Sequence, residues 1–310
     1  MSDKPDILLM GLGRWGQNHL KTLVDLKIPV SVSDLDKELI VKAHKDYPGL
    51  VSTADMGHLD KYDGVIVATS PNTHSTIVKQ LIFKNVKNIL SEKPLALNYK
   101  DASEIFQLAR VHGVNLQIGH QLRYTTGAEL IRTFIRLYFD QRIKYPDYIV
   151  QYVNWIISVP AYKKTVPIHY DIMGHVLDLF LSCGIGYPSS IEANEISNDG
   201  NYCSMTLRWK HCLKLNIELI YGHKDRRETL DIESNRPNSD DGNNLRLDLR
   251  DHASPPLQLE IQDWISRFDT NKILPYAPDE KLYLVMDTIS EAFEQLLKTN
   301  GKSHVMKVVL

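Results

Sequence analysis

From Ile7 onward, short apolar runs alternate with stretches whose apolar residues recur at helical spacing. Ile7–Met10 reads as a strand, residues 18–26 as a helix and Val30–Ser33 as a second strand. Residues 65–69 and 86–90 are compact β-branched runs. Between them Ile77, Val78, Leu81 and Ile82 fall on one helical face. Residues 98–113 are helical again: Ile105, Phe106 and Ala109 form the apolar face, Asn98 is the N-cap and Gly113 the stop. Residues 114–118 read as a strand. Strands alternating with helices predict βαβ units and a parallel sheet.

The rhythm changes after Tyr124. Helical patterns cover 127–139 and 171–183, and a long strand candidate covers 148–159. Strand candidates then follow one another at 190–196, 202–209, 213–221, 227–232 and 245–249. The polar segment 233–244, rich in Asn, Asp and Ser, reads as a loop or hairpin tip. Two helices, 257–268 and 279–298, close the pattern. The expected fold is α/β: an N-terminal Rossmann domain with a parallel sheet over residues 1–123, then an α+β domain with a mostly antiparallel sheet over residues 124–310. The irregular apolar strands 148–159 and 213–221 fit a sheet covered on both sides, as at a subunit interface.

Composition changes this picture little. A formal net charge of -2 argues against a dedicated nucleic-acid binder. No apolar run approaches the ~20 residues that span a bilayer, so no membrane partner is expected. The polar N-terminus lacks the pattern of a signal peptide. Cys183, Cys203 and Cys212 are widely spaced and show neither a disulfide framework nor zinc spacing. A cytoplasmic setting follows as an expectation.

The chemistry begins at Gly11-Leu12-Gly13-Arg14-Trp15-Gly16, a G-x-G-x-x-G between a strand and a helix. Gly11 permits the tight turn, Gly13 lets backbone approach a pyrophosphate, and Gly16 allows close packing of helix on strand. The helix N-terminus offers free N–H groups to phosphates. The second strand ends at Ser33-Asp34, where a carboxylate accepts hydrogen bonds from the adenosine ribose and repels a 2′-phosphate. The cofactor reading is therefore NAD, with NADP left open by the nearby Lys37.

Three further segments follow strand candidates: Thr69-Ser70-Pro71-Asn72-Thr73-His74, Glu92-Lys93-Pro94 and His120-Gln121-Leu122-Arg123. An open α/β sheet binds its ligand beyond such carboxyl ends. Together with the glycine fingerprint, and with Asp171 and His175 four residues apart, these segments resemble the glucose–fructose oxidoreductase / inositol dehydrogenase / MocA family along essentially the whole chain. The resemblance implies NAD(P)-dependent oxidation or reduction of sugars, cyclitols or nucleotide-linked sugars. It puts Lys93 beside the nicotinamide and the reacting carbon, and makes Asp171 and His175 the active-site pair. By the same resemblance, Leu12, Arg14, Trp15, Thr69, Ser70, Pro71, Asn72, His74, Glu92 and Gln121 join the glycines and Asp34 as cofactor contacts. His120, Arg123 and Tyr170 join Lys93, Asp171 and His175 at the substrate, and a homodimer or homotetramer is expected. Met173 stands where the family often has glycine, which implies a reshaped pocket.

Alcohol oxidation couples hydride loss to deprotonation of the hydroxyl. Lys93 and His175 are both candidates for the proton, with Asp171 orienting the imidazole or binding substrate hydroxyls. Asp171 and His175 lack a third ligand for a metal. His120 and Arg123 are equally read as ligand contacts or as a structural bridge between the domains, and Asn72 and His74 as caps of the following helix. A second enzymatic reading is reduction of an imine or bilin. From another class comes an NAD-binding regulator or scaffold without turnover. Retention of Lys93, Asp171 and His175 favours the enzyme.

Overall fold

Ile7–Met10, a run with no polar side chain, forms β1 at the middle of a parallel sheet. The computed structural model describes residues 4–49, 51–54, 56–144, 149–159, 167–197, 199–210, 213–224, 227–235, 243–248, 255–268, 279–299, 301, 303 and 305–309. The chain groups into two compact units, Met1–Gln121 with Ser254–Glu280, and Leu122–Ala253 with Lys281–Leu310.

In the first unit β1 is followed by α1 (Arg14–Asp25), β2 (Val30–Ser33), α2 (Lys37–Asp46), β3 (Val51–Thr53), β4 (Gly64–Val67), α3 (Pro71–Phe83), β5 (Asn88–Glu92), α4 (Tyr99–His112) and β6 (Asn115–Gly119). The six strands run parallel in the order β3-β2-β1-β4-β5-β6. β4 and β5 are buried at every residue; β4 accordingly runs apolar instead of alternating, while β5 buries Asn88, Ser91 and Glu92 together with Ile89 and Leu90. Helix α4 begins and ends as its sequence predicts: the Asn98 side chain accepts the Asp101 N–H at 2.8 Å, and Gly113 closes the helix at φ +61°. Two elements escaped the sequence pattern. Helix α2 is short and mostly solvent-facing, and its start is fixed by Asp36 accepting the Glu38 N–H. Strand β3 is only three residues long.

The chain winds from β1 outward to β3 and then crosses back to β4. The carboxyl ends of β1 and β4 therefore flank the topological switch point, where open α/β sheets bind ligands.

The second unit contains α5 (Thr126–Lys144), β7 (Ile149–Val159), α6 (Ile168–Ser182), β8 (Ser190–Ile196), β9 (Tyr202–Arg208), β10 (Lys214–Tyr221), β11 (Arg227–Asn235) and β12 (Asn243–Asp248). After α7 (Pro256–Ile265) come α8 (Glu280–Lys298) and β13 (Val305–Lys307), a strand too short to read from sequence. The sheet order is β12-β11-β7-β10-β9-β8-β13, antiparallel except for the parallel pair β7 and β10. Leu215, Ile217 and Leu219 of β10 alternate into the core beside Trp155 and Ile157 of β7. The opposite face carries a polar ladder: Asn194 donates to Thr206, Thr206 to Asn216, and Asn216 to Asn154 at 2.8 Å. In β10 the fully buried apolar side chains lie on one face, while the other carries Asn216, Glu218 and the half-buried Ile220. The predicted loop 233–244 is partly strand, because the β11–β12 ladder reaches Ser234 opposite Asn243. Tyr148, at the start of one predicted strand, and Cys212 lie outside the described residues.

The helix α7 corrects the domain reading, which assigned residues 124–310 to the second domain. Leu257, Ile261 and Trp264 belong to the core of the first unit with Ile7, Leu9, Leu20 and Ile66. A Cβ on Gly64 would lie 2.7 Å from ring atoms of Trp264 and Phe268, so these rings occupy the space at the start of β4. Leu122 and Arg123 group with the second unit instead of the first. The reason is tertiary: an amphipathic helix carries no mark of which core will take its apolar face. Truncating the fully buried Trp264 to Ala should remove about 3–5 kcal/mol from the stability of the first unit, measured by urea unfolding.

Candidate functional site

The first unit builds a nucleotide cradle at the switch point. Gly11 has φ +95°, and a Cβ there would lie 2.6 Å from the Ala68 carbonyl oxygen. Only glycine fits on both counts. A Cβ on Gly16 would lie 2.0 Å from the Gly11 carbonyl oxygen, so α1 leaves β1 in direct contact with the turn. A Cβ on Gly13 meets nothing within 4 Å. That space lies over the N-terminus of α1, which no side chain caps. Open room beside uncapped N–H groups is what a pyrophosphate requires. Asp34 closes the cradle at the end of β2. One carboxylate oxygen accepts the Leu12 N–H at 2.6 Å and the other the Asp36 N–H at 2.8 Å. Each oxygen retains a lone pair for ribose hydroxyls. Arg14 is exposed and Trp15 half-buried at the rim. These residues fit an NAD molecule.

The second cluster lies at the carboxyl ends of β4, β5 and β6, along the same sheet edge. Ser70, Pro71 and Asn72 open α3, with Ser70 and Asn72 exposed. Thr69 and Thr73 share a hydroxyl hydrogen bond of 2.8 Å. His74 is buried and caps nothing. Its Nδ1 lies 2.8 Å from the Pro94 carbonyl oxygen and its Nε2 3.0 Å from that of Thr69. Glu92, also buried, accepts from His19 Nε2 at 2.7 Å and from the Lys93 N–H at 3.2 Å. Burial pushes the Glu92 carboxyl up, but the His19 hydrogen bond and the nearby His19, Lys93 and His74 side chains outweigh it. The net shift is below the usual carboxylate range. His74 and Glu92 thus direct their polar atoms at the chain and fix the segments on either side of Lys93. Between them the half-buried Lys93 precedes Pro94 across a cis peptide bond. His120 is buried after β6, with Gln121 half-buried beside it.

In the second unit α6 carries Tyr170, Asp171 and His175. Asp171 and His175 are four residues apart and share one helical face. Asp171 is half-buried and His175 is buried. Burial and Asp287, which accepts its hydrogen bond, push the Tyr170 phenol well above its ordinary range, so the hydroxyl stays protonated. Arg123 donates to both oxygens of the fully buried Asp178, through Nε at 3.1 Å and through its terminal nitrogen. This pair ties the start of the second unit to α6, within that unit.

Sequence reasoning passed over two residues of this arrangement, Asp178 and His19. The signal for His19 was present: it falls with Gly16, Leu20 and Leu23 on the buried stripe of α1, an unusual place for an imidazole. Among the described residues no cluster of His, Cys, Asp or Glu could hold a metal ion, and no helix is long and apolar enough to cross a membrane.

Comparison with known proteins points the same way. Residues 6–120 match the model of the Gfo/Idh/MocA group, described as an oxidoreductase family with an NAD-binding Rossmann fold. The rhizopine catabolism protein MocA of Rhizobium meliloti is 28% identical over 161 residues, which span 49% of this chain and 48% of that protein. The match thus extends over about half the length of that relative. Among solved structures, GenD2 from gentamicin A biosynthesis in complex with NAD superposes with a TM-score of 0.77 at 16% identity, over 99% of this chain and 97% of that one. A myo-inositol dehydrogenase from Corynebacterium glutamicum gives 0.74 at 13% identity, over 99% of each. At these identities the structural likeness concerns the fold.

Two outcomes follow from the geometry. Gly13→Ala should weaken NAD binding about tenfold or more, about 1.4 kcal/mol, while changing stability by less than about 0.5 kcal/mol. Fluorescence titration and urea melts read the two effects separately. The second concerns His169 on α6, 3.2 Å from the Ser290 hydroxyl, whose pKa burial lowers from 6.5 to about 4. The unfolded chain then binds the extra proton first as pH falls. Stability should be complete above pH 6.5 and decline toward pH 4, by up to about 3 kcal/mol. Denaturation at a series of pH values should show this slope, and His169→Gln should flatten it.

Proposed function

We propose that this chain, whose residues 6–120 match the model of the Gfo/Idh/MocA oxidoreductase family, transfers a hydride between NAD and a hydroxyl or keto carbon of a polyhydroxylated substrate. The substrate class is a sugar, a cyclitol or a nucleotide sugar. The observation that carries the reading is the placement of Lys93. It stands at the carboxyl end of β5, on the sheet edge that also carries the glycine cradle and Asp34, and residues on both sides of it are fixed by buried hydrogen bonds.

The residues divide the work as follows. Uncapped N–H groups at the start of α1 receive the pyrophosphate in the space left by Gly13. Asp34 receives the ribose hydroxyls and disfavours a 2′-phosphate. Bound NAD supplies the hydride acceptor or donor. The Lys93 side chain takes the hydroxyl proton in oxidation and returns it in reduction, a transfer that contributes a factor of about 10²–10⁴. Asp171 and His175 act on the substrate as hydroxyl ligand and second proton carrier. The names of the neighbours, which include a myo-inositol dehydrogenase and MocA, support a polyol-like substrate. We further propose a cytoplasmic homodimer or homotetramer, which size-exclusion chromatography with light scattering would test.

A nicotinamide absorbance screen over sugars, inositols, sugar acids and nucleotide sugars, each with NAD and NADP, tests the function. Turnover with at least one polyol and a preference for NAD are expected. Lys93→Ala should lower kcat by about a hundredfold or more. NAD binding without turnover across the whole panel would favour a regulator, and an unchanged kcat in Lys93→Ala would remove lysine from the proton path.

A further inference from the structure

The buried contact between His19 and Glu92 has no part in binding or chemistry as described so far. His19 is fully buried in α1, and Glu92 is the last residue of β5. Burying a carboxylate costs several kcal/mol unless hydrogen bonds compensate it, and an apolar pair of similar volume would often be as stable. What the polar pair supplies is direction. One Glu92 oxygen faces His19 Nε2 at 2.7 Å, while the other accepts the main-chain N–H of Lys93. His19 Nδ1 is buried without a hydrogen-bond partner, so nothing competes with Glu92 for the orientation of the ring. The third side of the carboxylate is formed by Gly119 of β6, where a Cβ would stand 3.3 Å from the Glu92 carboxyl carbon. On the far side of Lys93, the Pro94 carbonyl is held by His74.

We propose that His19 and Glu92 are a positioning pair, which ties the phosphate-facing helix α1 to the Lys93 segment and holds the Lys93 side chain toward the nicotinamide. The proposal rests on the reading of Lys93 given above. Neither His19 nor Glu92 touches the reacting atoms. They act through Lys93, so that cofactor phosphates docked on α1 and the proton-transfer group on β5 share one frame. Misplacement of a reacting group by about 1 Å can cost about a hundredfold in rate, which sets the scale on which such a tie matters.

The test needs no known substrate. Sulfite forms a sulfur–carbon bond at C4 of the nicotinamide of bound NAD and discharges the positive ring, and near-ultraviolet absorbance reads the adduct. A lysine cation beside that carbon holds the anionic adduct. The native protein should form it, and Lys93→Ala should weaken it about tenfold or more. His19→Leu should weaken it to a similar degree while the Kd for NADH, from fluorescence titration, moves less than about threefold. His19→Gln, which restores an N–H donor near the Nε2 position, should recover the adduct. If His19→Leu does not fold, Glu92→Gln and the paired change His19→Leu with Glu92→Leu carry the same comparison. Adduct affinity equal to native in these variants, with Lys93→Ala weakened, overturns the positioning pair alone. An adduct that is absent from the native protein, or indifferent to Lys93→Ala, overturns the reading of Lys93 itself.

Discussion

The Ala68 carbonyl oxygen stands 2.6 Å from the point where a Cβ on Gly11 would lie, and this contact fixes the geometry of the first unit. It brings the turn after β1 against the end of β4 at the place where the winding of the sheet reverses. Gly11 also donates its N–H to Ser33 at 2.8 Å, and Ala68 donates its own to Met10 at 2.8 Å. The ends of β1, β2 and β4 are thereby locked in register. Gly16 extends the constraint to α1, whose first turn must rest on the Gly11 carbonyl. A side chain at Gly11 or Gly16 would separate strand from helix and open the cradle.

That lock has a chemical consequence. An anion approaching Gly13 meets backbone N–H groups and no side chain, so affinity there is set by helix polarity and space. Asp34 is held in place by the same turn through the Leu12 N–H, which couples the ribose site to the phosphate site. Further along the sheet edge, buried histidines replace glycines as the fixing elements. His74 spans two loops through their carbonyl oxygens, and His19 anchors the carboxylate that precedes Lys93. The loop chemistry at this edge therefore rests on hydrogen bonds whose polar atoms are shielded from water, where such bonds are strong and their loss is costly.

The second unit solves a different problem. A sheet with one apolar face needs a cover, and α6 supplies it with a surface so apolar that nearly every residue is buried. Asp171 and His175 sit on this helix among residues chosen for packing, and Arg123 is drawn into a buried pair with Asp178. Breaking that pair from one side would leave an uncompensated buried charge, so losing either residue alone costs more than replacing both by apolar side chains.

The parallel sheet, the glycine turn and the acid at Asp34 are legible in the chain, because each rests on local periodicity, on backbone freedom at one residue or on a position at the end of a readable strand. Its strand and helix limits agree with the structure to within a few residues wherever an apolar run or a cap marks them, as at Ile7–Met10 and at Asn98 with Gly113. The weakly patterned α2 and the three-residue β3 and β13 left no periodic trace. Only tertiary structure decided that α7 joins the first core, since an apolar stripe does not name its partner. It likewise decided the partners of His74, Glu92 and Arg123. A motif fixes which side chains stand near a loop, but which group a polar atom faces depends on distant neighbours: Pro94 is 20 residues from His74, Asp178 is 55 from Arg123, and His19 is 73 from Glu92.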